Sequence, residues 1–334
     1  MGSWSTSRSR RAGWCAAVLG LAVGCGGTNA PPPTGAAAAA VADLRAALDQ
    51  AAEVTAPWRC AAQPRPTDGP GPTVGTRVWR VEGGVLTSAG QALVVAVVAD
   101  AHGDPLIGLR DRLAAARVDV VVSLGGMGET APALAASLGG LADGRWLTVA
   151  VPGASEPWPL HRAEVARLAA AGLPIVDGAA ARVLDAGPAV VATLPGEPHA
   201  GWLAAGDDGC GHDADEAAAV VAELAARAGK RPSVLASPAA PRLGDSDRGV
   251  AGVGAGDRAL AATATDLTLF VHAPIDGRPA RAGEARRVAT AIAAGSLDPL
   301  PRFADDGAPV PPSVTLLVFE RGQATWRGVP LTPR

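Results

Sequence analysis

The chain has 334 residues, of which 48% are hydrophobic and 18% charged, with 42 glycines and 29 prolines. This length exceeds that of a stapled mini-protein, and the composition is that of a loop-rich globular protein, which excludes disordered and fibrous classes. Lys and Arg total 29 against 32 acidic residues, a net charge of −3. No sequence-wide positive field is available to hold a phosphate backbone, so we expect no nucleic-acid partner.

The first 24 residues predict a signal peptide. Three arginines at residues 8–11 precede an apolar run of about a dozen residues, which is too short to span a membrane. The run ends on small residues before Cys25 and resembles a bacterial lipobox, in which the cysteine is lipidated, although Ala22 stands where leucine is usual. We therefore expect a lipoprotein in the bacterial cell envelope, anchored to a membrane through Cys25 and facing the periplasm or the exterior. An ordinary signal peptide cut nearby is the alternative.

The rest of the chain divides into three parts by composition. Residues 25–35 form a Pro/Gly-rich tether, residues 36–75 an N-terminal helix followed by an irregular segment, and residues 76–334 the main domain. After processing, Cys60 and Cys210 remain as a pair in an oxidising compartment. A disulfide between them is one interpretation and two separate buried thiols are the other, because sequence spacing does not show that they are close.

Beyond residue 76, short β-rich runs alternate with helices. The continuous apolar run at residues 92–99 is typical of a central strand buried on both faces. The alternation predicts a layered α/β fold with central β-sheets, largely parallel, flanked by helices. The other strands are predicted at residues 78–81, 85–87, 119–123, 147–151, 189–193, 233–236, 266–272, 314–320 and 323–326, and the helices at 105–117, 131–138, 161–171 and 213–228.

The candidate functional residues follow the strands, because ligands of open α/β sheets bind beyond the carboxyl ends of the strands. Asp100 and His102 come directly after the strongest strand, and Gly103 lets the backbone turn away. A carboxylate and an imidazole at this spacing suit a divalent cation. The alternative is an aspartate that caps a helix beside a histidine that is hydrogen-bonded to the backbone.

Five such segments between residues 91 and 274 resemble, in order and spacing, the motifs of the calcineurin-like metallophosphoesterases: D-x-H, G-D-x-x-[DG], G-N-H-[DE], a lone H and G-H-x-H. The resemblance implies a layered metallophosphoesterase-like fold, a phosphoester ligand and a phosphoester hydrolase activity that depends on metal binding. The matching residues are Asp100 and His102 in the first motif, Gly125 in the second, Gly153 and Glu156 in the third, and His272 in the fifth.

The departures from these motifs remove most of the metal ligands. The bridging aspartate falls on Gly126, the asparagine and histidine of the third motif on Ala154 and Ser155, and two further histidines on Pro238 and Pro274. A two-metal mechanism needs the bridging carboxylate to hold two cations and to create the nucleophilic hydroxide. The resemblance therefore supports the fold more than the activity.

The surviving ligand positions are Asp100, His102 and His272, and we expect them to hold at most one divalent ion, Mn, Fe or Zn. The expected function is that of an exported, lipid-anchored metallophosphoesterase-like protein with a degenerate metal centre. The alternative is a non-catalytic binding or scaffold lipoprotein, a pseudoenzyme that keeps the fold and the cleft only. We expect the other histidines, His161 and His199, to be packed or at the surface, and the acids that follow His212 to cap a helix.

Overall fold

The computed structural model describes residues 60, 64–199, 203–242, 256–263, 267–274, 282–283, 290–298, 300, 302–303 and 309–331. All of them belong to one compact unit, Ala42–Arg334. The predicted signal peptide, the lipidation site Cys25, the tether and the N-terminal helix lie outside these residues. Among the helices of the described part, none combines the length and the apolar character needed to cross a membrane.

Strands and helices alternate along most of the described chain. The strands are β1 (Gly69–Val74), β2 (Arg77–Glu82), β3 (Val85–Thr87), β4 (Ala92–Ala99), β5 (Val120–Leu124), β6 (Leu147–Val151), β7 (Ile175–Asp177), β8 (Val183–Asp185), β9 (Val190–Thr193), β10 (Ser233–Ser237), β11 (Leu269–His272), β12 (Ala282–Gly283), β13 (Thr290–Ala293), β14 (Gly295–Ser296), β15 (Arg302–Phe303), β16 (Pro309–Val310), β17 (Ser313–Glu320) and β18 (Gln323–Pro330). The α-helices are α1 (Leu109–Ala115), α2 (Ala131–Leu141), α3 (Trp158–Ala170), α4 (Ala214–Ala228) and α5 (Arg258–Thr263).

Two large sheets organise the described residues. The first has the order β18-β17-β4-β5-β6-β7, with β14 paired to the end of β4, and the second has the order β1-β2-β3-β8-β9-β10-β11-β13-β12. Strands β4 to β7 run parallel, as do β9, β10, β11 and β13. The carboxyl ends of parallel strands meet at one edge of a sheet, so the segments that follow them lie side by side.

The parallel strands β9, β10, β11 and β13 of the second sheet are buried on both faces, and their period-two alternation sorts their side chains between two cores. In β10, Val234 and Ala236 pack into a core shared with β4–β6 and α1–α3, whereas Leu235 packs with α4 and α5. The same alternation places Phe270 of β11 in the second core and Val271 in the first. The predicted α/β architecture, with central β-sheets flanked by helices, is confirmed.

Most predicted elements are confirmed to within a few residues, including both hairpins and the buried strand β4. Helix α4 begins after Asp213, whose side chain accepts from the Glu216 backbone N–H in a capping box, as the predicted N-cap requires. Helix α1 is shorter than predicted because Leu106 and Gly108 have positive φ and delay its start. The segment predicted to be irregular contains β1, an edge strand, where prolines cost little.

Candidate functional site

Residues from all five segments of the motif series line one cleft of about 380 Å³. Three of them follow β4, β5 and β6 of one sheet, and two follow β10 and β11 of the other. The polar lining residues are Asp100, His102, Ser155 and Glu197. The others are small or apolar: Leu124, Gly126, Gly153, Ala154, Pro238, Ala240, Ala273 and Pro274.

The loop after β4 is held tightly against the loop after β5. The backbone N–H groups of Asp100 and His102 donate to the carbonyls of Gly125 and Gly126, at 3.1 and 2.8 Å. Asp100 and His102 both adopt positive φ, 57° and 49°. A left-handed backbone in a non-glycine residue costs of order 1–3 kcal/mol and persists only where neighbouring contacts enforce it. These backbone hydrogen bonds therefore aim both side chains into the cleft.

Gly126 is the residue that the motif resemblance sets against a bridging aspartate, and the structure leaves no room there for a side chain. An added Cβ would lie 2.5 Å from Asp100 Oδ1 and 2.6 Å from Asp100 Cα, and the φ of Gly126 is +68°. Both the steric clash and the left-handed backbone oppose any other residue. The position is therefore closed to a bridging carboxylate unless the loop of Asp100 moves.

Glu156, the last matched residue of the third motif, has a structural role. Its carboxyl group is fully buried and accepts from the backbone N–H groups of Met127, at 2.6 Å, and Gly153, at 2.9 Å. Burial raises its pKa to about 7, although these backbone hydrogen bonds oppose the shift. Glu156 thus joins the loops after β5 and β6 beneath the cleft.

The raised pKa of Glu156 predicts a measurable effect on stability. The native state favours the protonated carboxyl group, so protonated Glu156 stabilises the fold. This contribution to the free energy of unfolding is fully present below the unfolded pKa of 4.5 and is lost as the pH rises to about 7, a change of about 3 kcal/mol. We expect Glu156→Gln to abolish this component, so that the difference between the unfolding free energies of wild type and variant changes with pH across that interval. Urea unfolding at pH 4.5 to 7.5 measures it. A constant difference would contradict the prediction.

On the wall formed by the second sheet, the residues that the motif resemblance sets against metal ligands are prolines or a buried histidine. Pro238, Ala273 and Pro274 line the cleft, whereas His272 is fully buried and is not among the lining residues. Its Nδ1 lies 2.8 Å from the Ala273 carbonyl, which requires a proton on Nδ1, and its Nε2 has no partner among the described residues. Burial lowers the pKa of His272 to about 4, so the ring is neutral at pH 7.

The three expected metal ligands differ in their exposure to the cleft. Asp100 and His102 line it, and His102 Nε2 lies 4.0 Å from Asp298 Oδ2, whereas the buried His272 is not among the lining residues. Within the described ranges, no group of three or more His, Cys, Asp or Glu side chains is arranged to hold a metal ion. With small and apolar residues at the other ligand positions, the donor set does not fit a dimetal centre.

Glu197 is a cleft residue that the sequence interpretation missed. It follows β9, and its backbone pairs with the segment of the second cysteine: its N–H donates to the Cys210 carbonyl and its carbonyl accepts from the His212 N–H, at 3.1 and 3.2 Å. Burial raises the pKa of Glu197 to about 8, and the charge of Asp257 adds to the shift. Glu197 could have been found from the sequence by its position shortly after the strand β9, because the other candidate segments were chosen for following strands.

The remaining histidines are packed, as predicted for His161 and His199. His199 follows Glu197 by two residues, and the backbone N–H of His212 donates to the Glu197 carbonyl. His199 Nε2 lies 3.1 Å from Asp257 Oδ2, with both side chains mostly buried. His212 is buried, with Nδ1 2.8 Å from the Pro195 carbonyl, and burial lowers its pKa to about 4. His161 is fully buried in α3, and burial lowers its pKa to about 3.

Cys60 and Cys210 form a disulfide, which decides between the two interpretations of this pair. Their Cα atoms are 5.5 Å apart, and the bond packs with Trp158 and Ala179 in a small apolar cluster. The backbone N–H of Cys60 also donates to the Gly211 carbonyl. The bond therefore fixes the segment that pairs with Glu197 at the cleft wall.

Comparison with known proteins gives little beyond this geometry. No protein-family model matches the chain, and no curated protein matches it. Among solved structures, the chain is similar to a dimetal phosphatase from Danio rerio, with a TM-score of 0.48 and 11% sequence identity, over 71% of this chain and 95% of that chain.

Proposed function

We propose that this protein is an exported, lipid-anchored member of the metallophosphoesterase-like fold that binds a ligand in its cleft without two-metal hydrolysis. The observation that carries the proposal is Gly126. The bridging carboxylate on which the two-metal reaction depends has no counterpart there, and the space it would need is filled by the backbone and the carboxyl group of Asp100. The non-catalytic interpretation is thereby favoured over the hydrolase.

The rest of the cleft supports the same conclusion. The five segments of the motif series still line one cavity, whose volume is in the range of small-molecule sites. The second sheet contributes Pro238 and Pro274, which cannot coordinate a metal through their side chains. The fold thus keeps a ligand-sized cavity in which several of the expected metal-ligand positions hold residues without ligating side chains.

The proposed location rests on two features of the chain. The pattern before Cys25 is that of a lipoprotein signal, and the Cys60–Cys210 disulfide is of the kind that persists in oxidising compartments. Both features favour the cell envelope. A lipid on Cys25 would hold the cleft-bearing domain at a membrane surface by a tether of small and proline residues.

Metal content and hydrolysis test the proposed function together. After loading the purified protein with Mn, Fe or Zn and removing free metal, we expect far less than one equivalent per chain, no different in the Asp100→Ala, His102→Ala variant. We expect no metal-dependent hydrolysis of phosphomonoester or phosphodiester substrates. Near-stoichiometric metal that disappears in the variant, together with hydrolysis, would show a working hydrolase.

A further inference from the structure

The charge of the cleft is the opposite of what a phosphoester needs. Two carboxyl-bearing residues, Asp100 and Glu197, line it, and none of the lining residues is Lys or Arg. His102, the imidazole of the lining, lies near the carboxylate of Asp298. A metal centre would neutralise acidic ligands and attract phosphate. Without a metal ion, the charge of Asp100, and that of Glu197 once it is ionised, repels phosphate, because a low-dielectric cleft strengthens the field of its charges.

The backbone of Glu197 is fixed in the wall of the cleft. Its backbone is hydrogen-bonded to Cys210 and His212, and the preceding Gly196 packs so closely that an added Cβ would lie 2.7 Å from Cys210 Sγ. Among the described residues, none donates a hydrogen bond to its carboxyl group. The backbone of Glu197 is thus fixed while its carboxyl group is open to a ligand that brings a donor.

Small apolar residues also line the cavity. Ala154, Ala240, Ala273 and the two prolines Pro238 and Pro274 present small apolar surfaces. Such surfaces give an organic ligand a favourable contact but offer nothing to a hydrated metal ion or a free phosphate. The cavity therefore combines two acidic residues with small apolar surfaces.

From this arrangement we infer that the cleft takes a small organic cation, whose ammonium or guanidinium group contacts the carboxylates of Glu197 and Asp100 and whose carbon skeleton lies on the small apolar surfaces. Charge-assisted hydrogen bonds of this type are the stronger class. The inference rests on the proposed function, since it names the ligand class of the same metal-free cleft.

The binding of a cation is expected to depend on pH through Glu197. The groups near Glu197 are His199, His212 and Asp257, and Asp100 and His102 share the cleft with it. Because the pKa of Glu197 is raised to about 8, a cation binds with release of its proton, and affinity rises with pH through that value. Aliphatic amines, with pKa values of about 10.4 as in lysine, stay charged over this range.

Three probes of one skeleton test the inference: n-butylammonium, n-butanol and n-butyl phosphate, titrated into the intact metal-free protein and followed by calorimetry or NMR. We expect butylammonium to bind about tenfold more tightly than butanol, and butyl phosphate to bind more weakly than both. Glu197→Gln should lower butylammonium affinity about tenfold and remove its pH dependence. Glu82→Gln, on the exposed surface of β2, is the matched control and should change neither.

Several outcomes overturn the inference: butyl phosphate as the tightest binder, no binding of any probe, or butylammonium binding that Glu197→Gln leaves unchanged. The first of these leaves the proposed function standing. Hydrolysis of butyl phosphate by metal-loaded protein overturns the proposed function and the inference with it. If Glu197→Gln does not fold, the ranking of the probes and the pH dependence of the wild type decide the matter.

Discussion

Replacing Cys60 and Cys210 together by serine is expected to lower the free energy of unfolding by about 5 kcal/mol. The two cysteines are 150 residues apart, and a cross-link that closes so long a loop removes much of the entropy of the unfolded chain. On the native side, Cys60 and Cys210 contact Trp158 and Ala179 inside a closed apolar cluster, which two serine hydroxyls would disturb. The loss of the cross-link and the burial of two hydroxyl groups both lower the stability of the variant.

Denaturant unfolding with and without a thiol reductant measures this prediction. Reduced wild type should unfold at nearly the denaturant concentration of the Cys60→Ser, Cys210→Ser variant, and the variant should not respond to the reductant. Because Cys210 accepts a hydrogen bond from the Glu197 N–H, we also expect the double variant to bind butylammonium more weakly. A loss of stability below about 1 kcal/mol would show that the disulfide is not what holds this region.

The order of the strand-end segments was the most informative feature of the sequence. Each segment follows an apolar run, and parallel strands bring their carboxyl ends together, so the motif order predicted which segments would share a cleft. The structure places Asp100, Ser155, Pro238 and Ala273 around the same cavity although they span more than half of the chain. Continuous apolar runs, as at residues 92–99, and strong capping signals, as at Asp213, explain why the elements themselves were predictable.

The chemistry of the cleft was less predictable because it depends on distances that sequence does not encode. His272 matches the motif, yet its side chain is fully buried. The residues that line the cleft at that point are the next two in the chain, Ala273 and Pro274. Glu156 also matches, but its carboxyl group is used by two backbone N–H groups. Glu197 belongs to no motif, and the pairing of its backbone with residues 210–212 at the wall involves a contact that sequence does not show.

The closure of the cleft at Gly126 leads to the last prediction, a series of three glycine replacements. Gly126→Ala adds a Cβ 2.5 Å from Asp100 Oδ1 at a positive φ, so it combines a clash with a strained backbone. Gly172 also has a positive φ, +84°, but open space around it, and Gly139 lies in α2 with no atom within 4 Å of an added Cβ. We expect a loss of about 3–5 kcal/mol at Gly126, a loss of about 1–2 kcal/mol at Gly172 and a gain of up to about 1 kcal/mol at Gly139.

The differences within the series separate the two causes. Gly172→Ala measures the cost of the left-handed backbone where space is open, Gly139→Ala shows the gain expected of alanine inside a helix, and Gly126→Ala minus Gly172→Ala gives the clash with Asp100. Thermal or urea unfolding of the three variants under one set of conditions supplies all of these values. If Gly126→Ala cost no more than Gly172→Ala, the loop of Asp100 would be able to move aside. A bridging carboxylate at this position would then be sterically possible, and the argument for a metal-free cleft would lose its main support.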